Sequence, residues 1–220
     1  MNKLFVDYLD PKIPIEQRLY STFKKMEIPS DQQNSILAFL DPIKVKDEAT
    51  YKHSIRVGIL ASCIAHFMRL DEKALLYSGL LHDIGKTQTQ LSTLQKTENW
   101  TPADTEEIKN HVLDGYRMIR GYFDFSAEVI LWHHRFQIDG YPKKLPTPLH
   151  EYSEGSKVMI ALYGRILSLA DHFDASHRIN SKFGPLTGEE IKEKMLKFNP
   201  DQKALIERLY KVQIFTTKTY

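Results

Sequence analysis

The sequence predicts an all-α fold, on three observations. Apolar residues recur at three- and four-residue spacing in one segment after another, no stretch sustains strand alternation, and the segments begin at Ser, Thr or Asp and stop at Gly or Pro. No internal repeat or low-complexity tract interrupts them. With 220 residues, 42% hydrophobic and 11% aromatic, the chain can bury one good core without disulfides or a structural metal.

Residues 1–44 are expected to form an N-terminal helical segment preceding a main domain over 45–220. A first amphipathic helix carries Ile15, Leu19, Phe23 and Met26 and ends before Pro29. A second starts at Ser30, where Gln33 completes a capping box, presents Ile36, Leu37 and Leu40, and stops at Asp41-Pro42. A long helix from Thr50 to about Leu70 then lines up His53, Val57, Leu60 and Ile64. The next, Asp71 to Ile84, aligns Leu75, Ser78 and His82, with Asp83 one step around and Gly85 as the stop signal. After a polar loop, Thr101-Pro102-Ala103-Asp104 predicts a capped helix start, with Ile108, His111 and Gly115 on one face. Gly115 lowers helix propensity, which close approach of another backbone, or of a ligand near His111, would explain. Ser126 is expected to cap a short helix ending at Leu131-Trp132-His133-His134, followed by a long loop to Gly155. The helix from Ser156 puts Ile160, Gly164, Leu167 and Asp171 in line, so that a carboxylate falls on a buried face and needs a cationic partner. Thr187-Gly188-Glu189-Glu190 caps a further helix, and residues 201 to about 213 form the last.

Thirty basic residues nearly cancel 28 acidic ones, for a formal charge of +2, so no nucleic-acid polymer is expected as main partner. The one cysteine, Cys63, lies in the apolar run Val57 to Met68. A small buried hydrophobe there fits a reducing cytoplasm. That run is too short to span a bilayer, and the N-terminus lacks a signal-peptide core, so a soluble cytoplasmic protein without membrane partners is expected.

His53, His82, Asp83, His111, His133, His134 and Asp171 are spread over more than half the chain, yet each falls on an inward face or at a helix end. Cores avoid burying so many polar groups independently, and a shared metal site accounts for them together. Mixed His and Asp ligands suit iron, manganese or zinc better than magnesium or calcium. Two metals need a bridging carboxylate, for which Asp83 is the candidate.

The order of these residues resembles the HD superfamily of metal-dependent phosphohydrolases, and within it the HD-GYP subgroup of bacterial cyclic di-GMP phosphodiesterases. The likeness runs from about Lys46 to Pro200. It is carried by His53-Ser54-Ile55-Arg56-Val57, His82-Asp83-Ile84-Gly85-Lys86, His111 with Gly115, His133-His134, Asp139-Gly140-Tyr141-Pro142, and Ala170-Asp171 with Asp174-Ala175. The resemblance implies an HD-domain helical bundle in which His53, His82, Asp83 and Asp171 hold one divalent metal and Asp83, His111, His133 and His134 a second. Iron or manganese is expected, with zinc as a further choice. Ala49 stands where some members carry a Glu for a third metal, so two are expected. The subgroup usually has Glu after the paired histidines, whereas this chain has Arg135, and its segment to Gly-Tyr-Pro is one residue shorter.

The expected activity is hydrolysis of a cyclic dinucleotide, with two metals ~3.5–4 Å apart holding a bridging hydroxide in line with phosphorus. Asp83 and Lys86 are the catalytic candidates, Lys86 binding a non-bridging phosphate oxygen as a point charge. Arg135, Tyr141 and Arg178 are candidates for substrate contacts. Alternatives are an HD phosphohydrolase of another nucleotide or phosphoester, and a non-catalytic module that senses a dinucleotide or binds a partner. A homodimer is a further expectation. His66, His150, His172 and His177 match no ligand position and are taken as structural or surface residues.

Overall fold

Two prolines open the described chain. In the computed structural model, which describes residues 12–177 and 185–216, Pro14 precedes α1 (Ile15–Lys25) and Pro29 precedes α2 (Ser30–Lys46). Leu19 and Phe23 of α1 and Ile36, Leu40 and Ile43 of α2 are buried in the same hydrophobic cluster as the helices that follow. The expected capping box at Ser30 is not formed, because Gln33 Nε2 donates instead to the Ile28 carbonyl (2.8 Å). Nor does α2 stop at Pro42. It runs through that proline to Lys46, with Ile43 in the core and Lys46 Nζ donating to the Thr87 carbonyl (2.6 Å). Tertiary anchoring on the far side outweighs the lost backbone bond.

Asp47 caps α3 (Glu48–Met68) by accepting from the Thr50 N–H, and Asp71 caps α4 (Glu72–Leu81) by accepting from the Ala74 N–H. These two helices meet backbone to backbone: a Cβ built on Gly79 would lie 2.5 Å from the Gly58 Cα. No larger residue would let α3 and α4 come so close. A short 3₁₀ turn over Ile84–Thr87 follows, then α5 (Leu91–Leu94) within the stretch expected to be loop.

The capping box at Thr101 and Asp104 forms as expected, starting α6 (Pro102–Lys109). The helix expected to continue past His111 is instead broken at Asn110, and α7 (His111–Ile119) starts afresh. Then α8 (Asp124–Ile130) begins two residues before Ser126, whose hydroxyl lies 3.2 Å from that of Ser78 and caps nothing. Ser153 caps the long α9 (Glu154–Ser176), Thr187 and Glu190 form the second expected capping box at α10 (Gly188–Phe198), and a 3₁₀ turn over Pro200–Gln202 leads into α11 (Lys203–Lys211). The described residues form no strand. Buried α3 and α9 run through the middle of this helical bundle, packed on each other and on α4, with α8 against α9.

Candidate metal centre

Three histidines of the centre stand at helix ends for one recurring reason. His82 follows the last residue of α4 and its Nδ1–H donates to the Gly79 carbonyl (2.8 Å). His111 does the same to Ile108 (2.5 Å) and His133 to Ile130 (2.5 Å). In each case an imidazole donates to a carbonyl three residues back, in the last turn of the ending helix. A carbonyl can only accept, so Nδ1 carries the proton and the Nε2 lone pair is free to face inward. This explains the break at Asn110, where the side chain of His111 claims the Ile108 carbonyl.

The lone pairs converge. His53, on the first turns of α3, places Nε2 3.1 Å from Asp171 Oδ1 and 3.7 Å from Asp83 Oδ2. His82 Nε2 lies 3.4 Å from Asp83 Oδ2 and 3.8 Å from Asp171 Oδ1, and His111 Nε2 lies 3.4 Å from Asp83 Oδ1. Potential ligand atoms fall into three overlapping triads: His53, His82 and Asp83; His82, His133 and Asp171; His111, His133 and His134. All seven sequence candidates are therefore brought to one place, and Asp83 faces His53 and His82 with one oxygen and His111 with the other.

The donor set fits divalent metal. His82 Nε2, Asp83 Oδ1, His111 Nε2 and His133 Nε2 are buried without a hydrogen-bond partner, a costly arrangement in a protein interior unless another atom completes it. Burial pushes His82 down to about 4 and His111 to about 3, and also lowers His133 and His134, so these imidazoles are neutral, as ligands must be. Burial works against ionised Asp83 and Asp171, but the surrounding groups, Lys86 at 2.6 Å from Asp83 among them, outweigh it and hold both well below the usual carboxylate range.

A pH dependence follows. The unfolded chain takes up protons on these histidines near pH 6.5, whereas the fold keeps His82 and His111 neutral to about 4 and 3. With the folded values below the unfolded ones, stability is lost as pH falls. We expect the melting temperature of the metal-free chain to decline steadily from about pH 6.5 towards pH 4. A flat profile in calorimetry would contradict buried neutral imidazoles.

His53 is oriented from behind. Its Nδ1 lies 2.7 Å from Asp174 Oδ2, and Asp174 is itself gripped by Arg56 through Nε (2.7 Å) and Nη2 (3.0 Å). Asp174→Asn is expected to weaken metal binding roughly 10–100-fold, measured by competition with a chelator. Unchanged affinity would remove Asp174 from the centre's support. His134 differs, because its Nδ1 meets the Gln137 amide (2.8 Å), which can present either end.

A cleft of about 520 Å³ opens on the centre, with His53, Lys86, His134 and Asp171 in its lining. Lys86 Nζ contacts Asp83 Oδ2 at 2.6 Å. Tyr141 stacks on His134 (ring centroids 4.6 Å apart), while Arg135 donates to the Pro142 carbonyl (2.7 Å) and lies over Trp132. Neither residue lines the cleft, and Arg178 falls outside the described residues. Of the histidines set aside, His66 and His150 pair with Glu72 and Asp124, and His177 Nδ1 donates to the Phe173 carbonyl. His172 lines the cleft, as do Phe136, Ile138, Lys194, Phe198 and Asn199, none of which carried a sequence signal for substrate contact.

The profile of the HD domain family matches residues 50–176. The chain belongs to that family. It is 32% identical over 138 residues to a cyclic di-GMP phosphodiesterase of Thermotoga maritima, covering 59% of this chain and 35% of that protein. It is 25% identical over 203 residues to the 3'3'-cGAMP-specific phosphodiesterase 2 of Vibrio cholerae, covering 86% and 37%. It thus spans little more than a third of the curated relatives' length. Among solved structures, the HD domain of the Listeria monocytogenes phosphodiesterase PgpH shares the fold, with a TM-score of 0.54, 18% identity and coverage of 78% of this chain and 86% of that one. Among the described residues, no helix is long and apolar enough to cross a membrane.

Proposed function

We propose that residues 45–220 form a phosphodiesterase of the HD-GYP subgroup that hydrolyses cyclic di-GMP with two divalent ions, iron or manganese. The observation that carries this reading is the set of four unpartnered buried donor atoms, from His82, Asp83, His111 and His133, grouped with His53, His134 and Asp171, which line an open cleft. His53, His82, Asp83 and Asp171 would hold one ion and Asp83, His111, His133 and His134 the other. When bound, such ions supply Lewis acidity toward phosphate oxygens and a nucleophile at neutral pH.

The chain's own groups do the rest. Backbone carbonyls behind His82, His111 and His133 fix the ring orientations before any ligand arrives. Asp83, kept ionised, joins the two ligand sets. Lys86, beside Asp83 and lining the cleft, presents an N–H to a non-bridging oxygen of the scissile phosphate, where negative charge grows. Tyr141 braces His134 and keeps water off one face of it.

Anaerobic incubation of the iron- or manganese-loaded chain with cyclic di-GMP, with products separated by chromatography, tests the reading. Linear dinucleotide or mononucleotide is expected, and absence of both with two metals bound per chain would refute it. The Vibrio cholerae relative favours one second reading, 3'3'-cGAMP as substrate, so that compound belongs in the same assay. A cytoplasmic setting, supported by the buried Cys63 thiol, and a homodimer, to be checked by light scattering, complete the proposal.

A further inference from the structure

Part of the cleft lining comes from α10, a helix whose sequence shows only a capping box and an apolar face of Ile191 and Met195. Lys194 and Phe198, four residues apart and so on one side of the helix, both line the cleft. Lys194 forms no ion pair among the described residues. Phe198 is 46% exposed, and Ile138, lining the same cleft from the loop after His134, is 89% exposed. Large apolar side chains left open inside a cleft mark a binding surface.

This wall is braced. Arg165, buried on α9, grips Asp201 through Nε (2.9 Å) and Nη2 (2.6 Å) and donates from Nη1 to Asn199 Oδ1 (3.0 Å). Asn199, itself buried, donates to the Met195 carbonyl (2.8 Å) and meets His172 Nδ1 (3.1 Å). The end of α10 is thereby fastened to α9, the helix that supplies Asp171. Phe198 and Lys194 hold a set position relative to the metal centre.

Resting on the phosphodiesterase reading above, we infer that α10 carries a second-nucleotide subsite: Lys194 takes an anionic group other than the scissile phosphate, and Phe198 with Ile138 holds the flat face of a base. Stacking on an aromatic ring is strong and tolerant of base identity, and an ammonium recognises phosphate as a point charge. A ligand with one phosphate at the metals and a second beside a base is a dinucleotide. A simple phosphodiester would leave this wall unused.

The test compares kcat/KM for cyclic di-GMP with kcat/KM for the small diester bis(p-nitrophenyl) phosphate, in the manganese-loaded full chain and in Lys194→Ala, Lys194→Arg and Phe198→Ala. The ratio of the two is expected to fall about tenfold in each alanine variant, chiefly through KM for the dinucleotide, and to be largely restored in Lys194→Arg. Cyclic di-GMP cleavage with an unchanged ratio in the alanine variants would overturn the subsite and leave the phosphodiesterase reading standing. An unmodified chain that cleaves only the small diester, or neither, would overturn the dinucleotide reading and the subsite with it.

Discussion

Replacing Asp83 with alanine is expected to lower phosphodiesterase turnover roughly a thousandfold or more, the equivalent of about 4 kcal/mol of transition-state stabilisation. Asp83 stands between the two halves of the histidine cluster, 3.4 Å from His82 with one oxygen and 3.4 Å from His111 with the other. Lys86 loses its ion-pair partner at the same time. Metal content measured on the purified variant should fall with activity, while far-UV circular dichroism should be unchanged, since the Asp83 side chain accepts from no backbone group. Full turnover in the variant would remove Asp83 from the reaction.

Gly85→Ala should be as damaging, for a different reason. A Cβ on Gly85 would fall 1.9 Å from the His111 carbonyl oxygen, 2.8 Å from the His111 carbonyl carbon and 2.5 Å from the Gly115 nitrogen. These are backbone atoms of α7 and cannot rotate aside, so the helix must move away from the turn that follows Asp83. The cost of such overpacking is roughly 3 kcal/mol or more, or a fall of about 6–12 °C in melting temperature for a chain of this size. The His111–Asp83 approach widens with it, so metal affinity should drop as well. Gly155→Ala is the control, its nearest neighbour being Ser153 Oγ at 3.8 Å, and should melt within a degree or two of the unmodified chain. Equal melting of the two variants would show that α7 accommodates the methyl group.

Much of this centre was legible because its residues obey local rules. The capping boxes at Thr101 and Thr187 set helix starts, and helical spacing put His53, His82 and Asp171 on buried faces. Of the two explanations open for Gly115, a neighbouring backbone or a ligand, the structure has the backbone: a Cβ built there would lie 3.3 Å from the Gly85 nitrogen. Where local rules and tertiary contacts compete, the sequence misleads. Pro42 is a strong stop signal, but the burial of Ile43 and the reach of Lys46 to Thr87 carry the helix past it. The break before His111 depends on an imidazole reaching a carbonyl, which spacing does not reveal. The α10 wall is harder still: Lys194 and Phe198 look like solvent-facing residues until α10 is known to fold back on α9.

The histidines that end α4, α6 and α8 have a consequence for how this family can change over time. Each serves as a ligand candidate at Nε2 and closes a helix at Nδ1. A substitution that discards the ligand also takes the side-chain donor away from a helix-end carbonyl, at a cost of about 0.5–1.5 kcal/mol. Drift away from metal chemistry is therefore opposed at these three positions even in a lineage that no longer needs catalysis. Asp83 carries no such second duty, and a descendant that abandoned the reaction would be expected to lose that carboxylate first and keep its histidines as fossils of the fold.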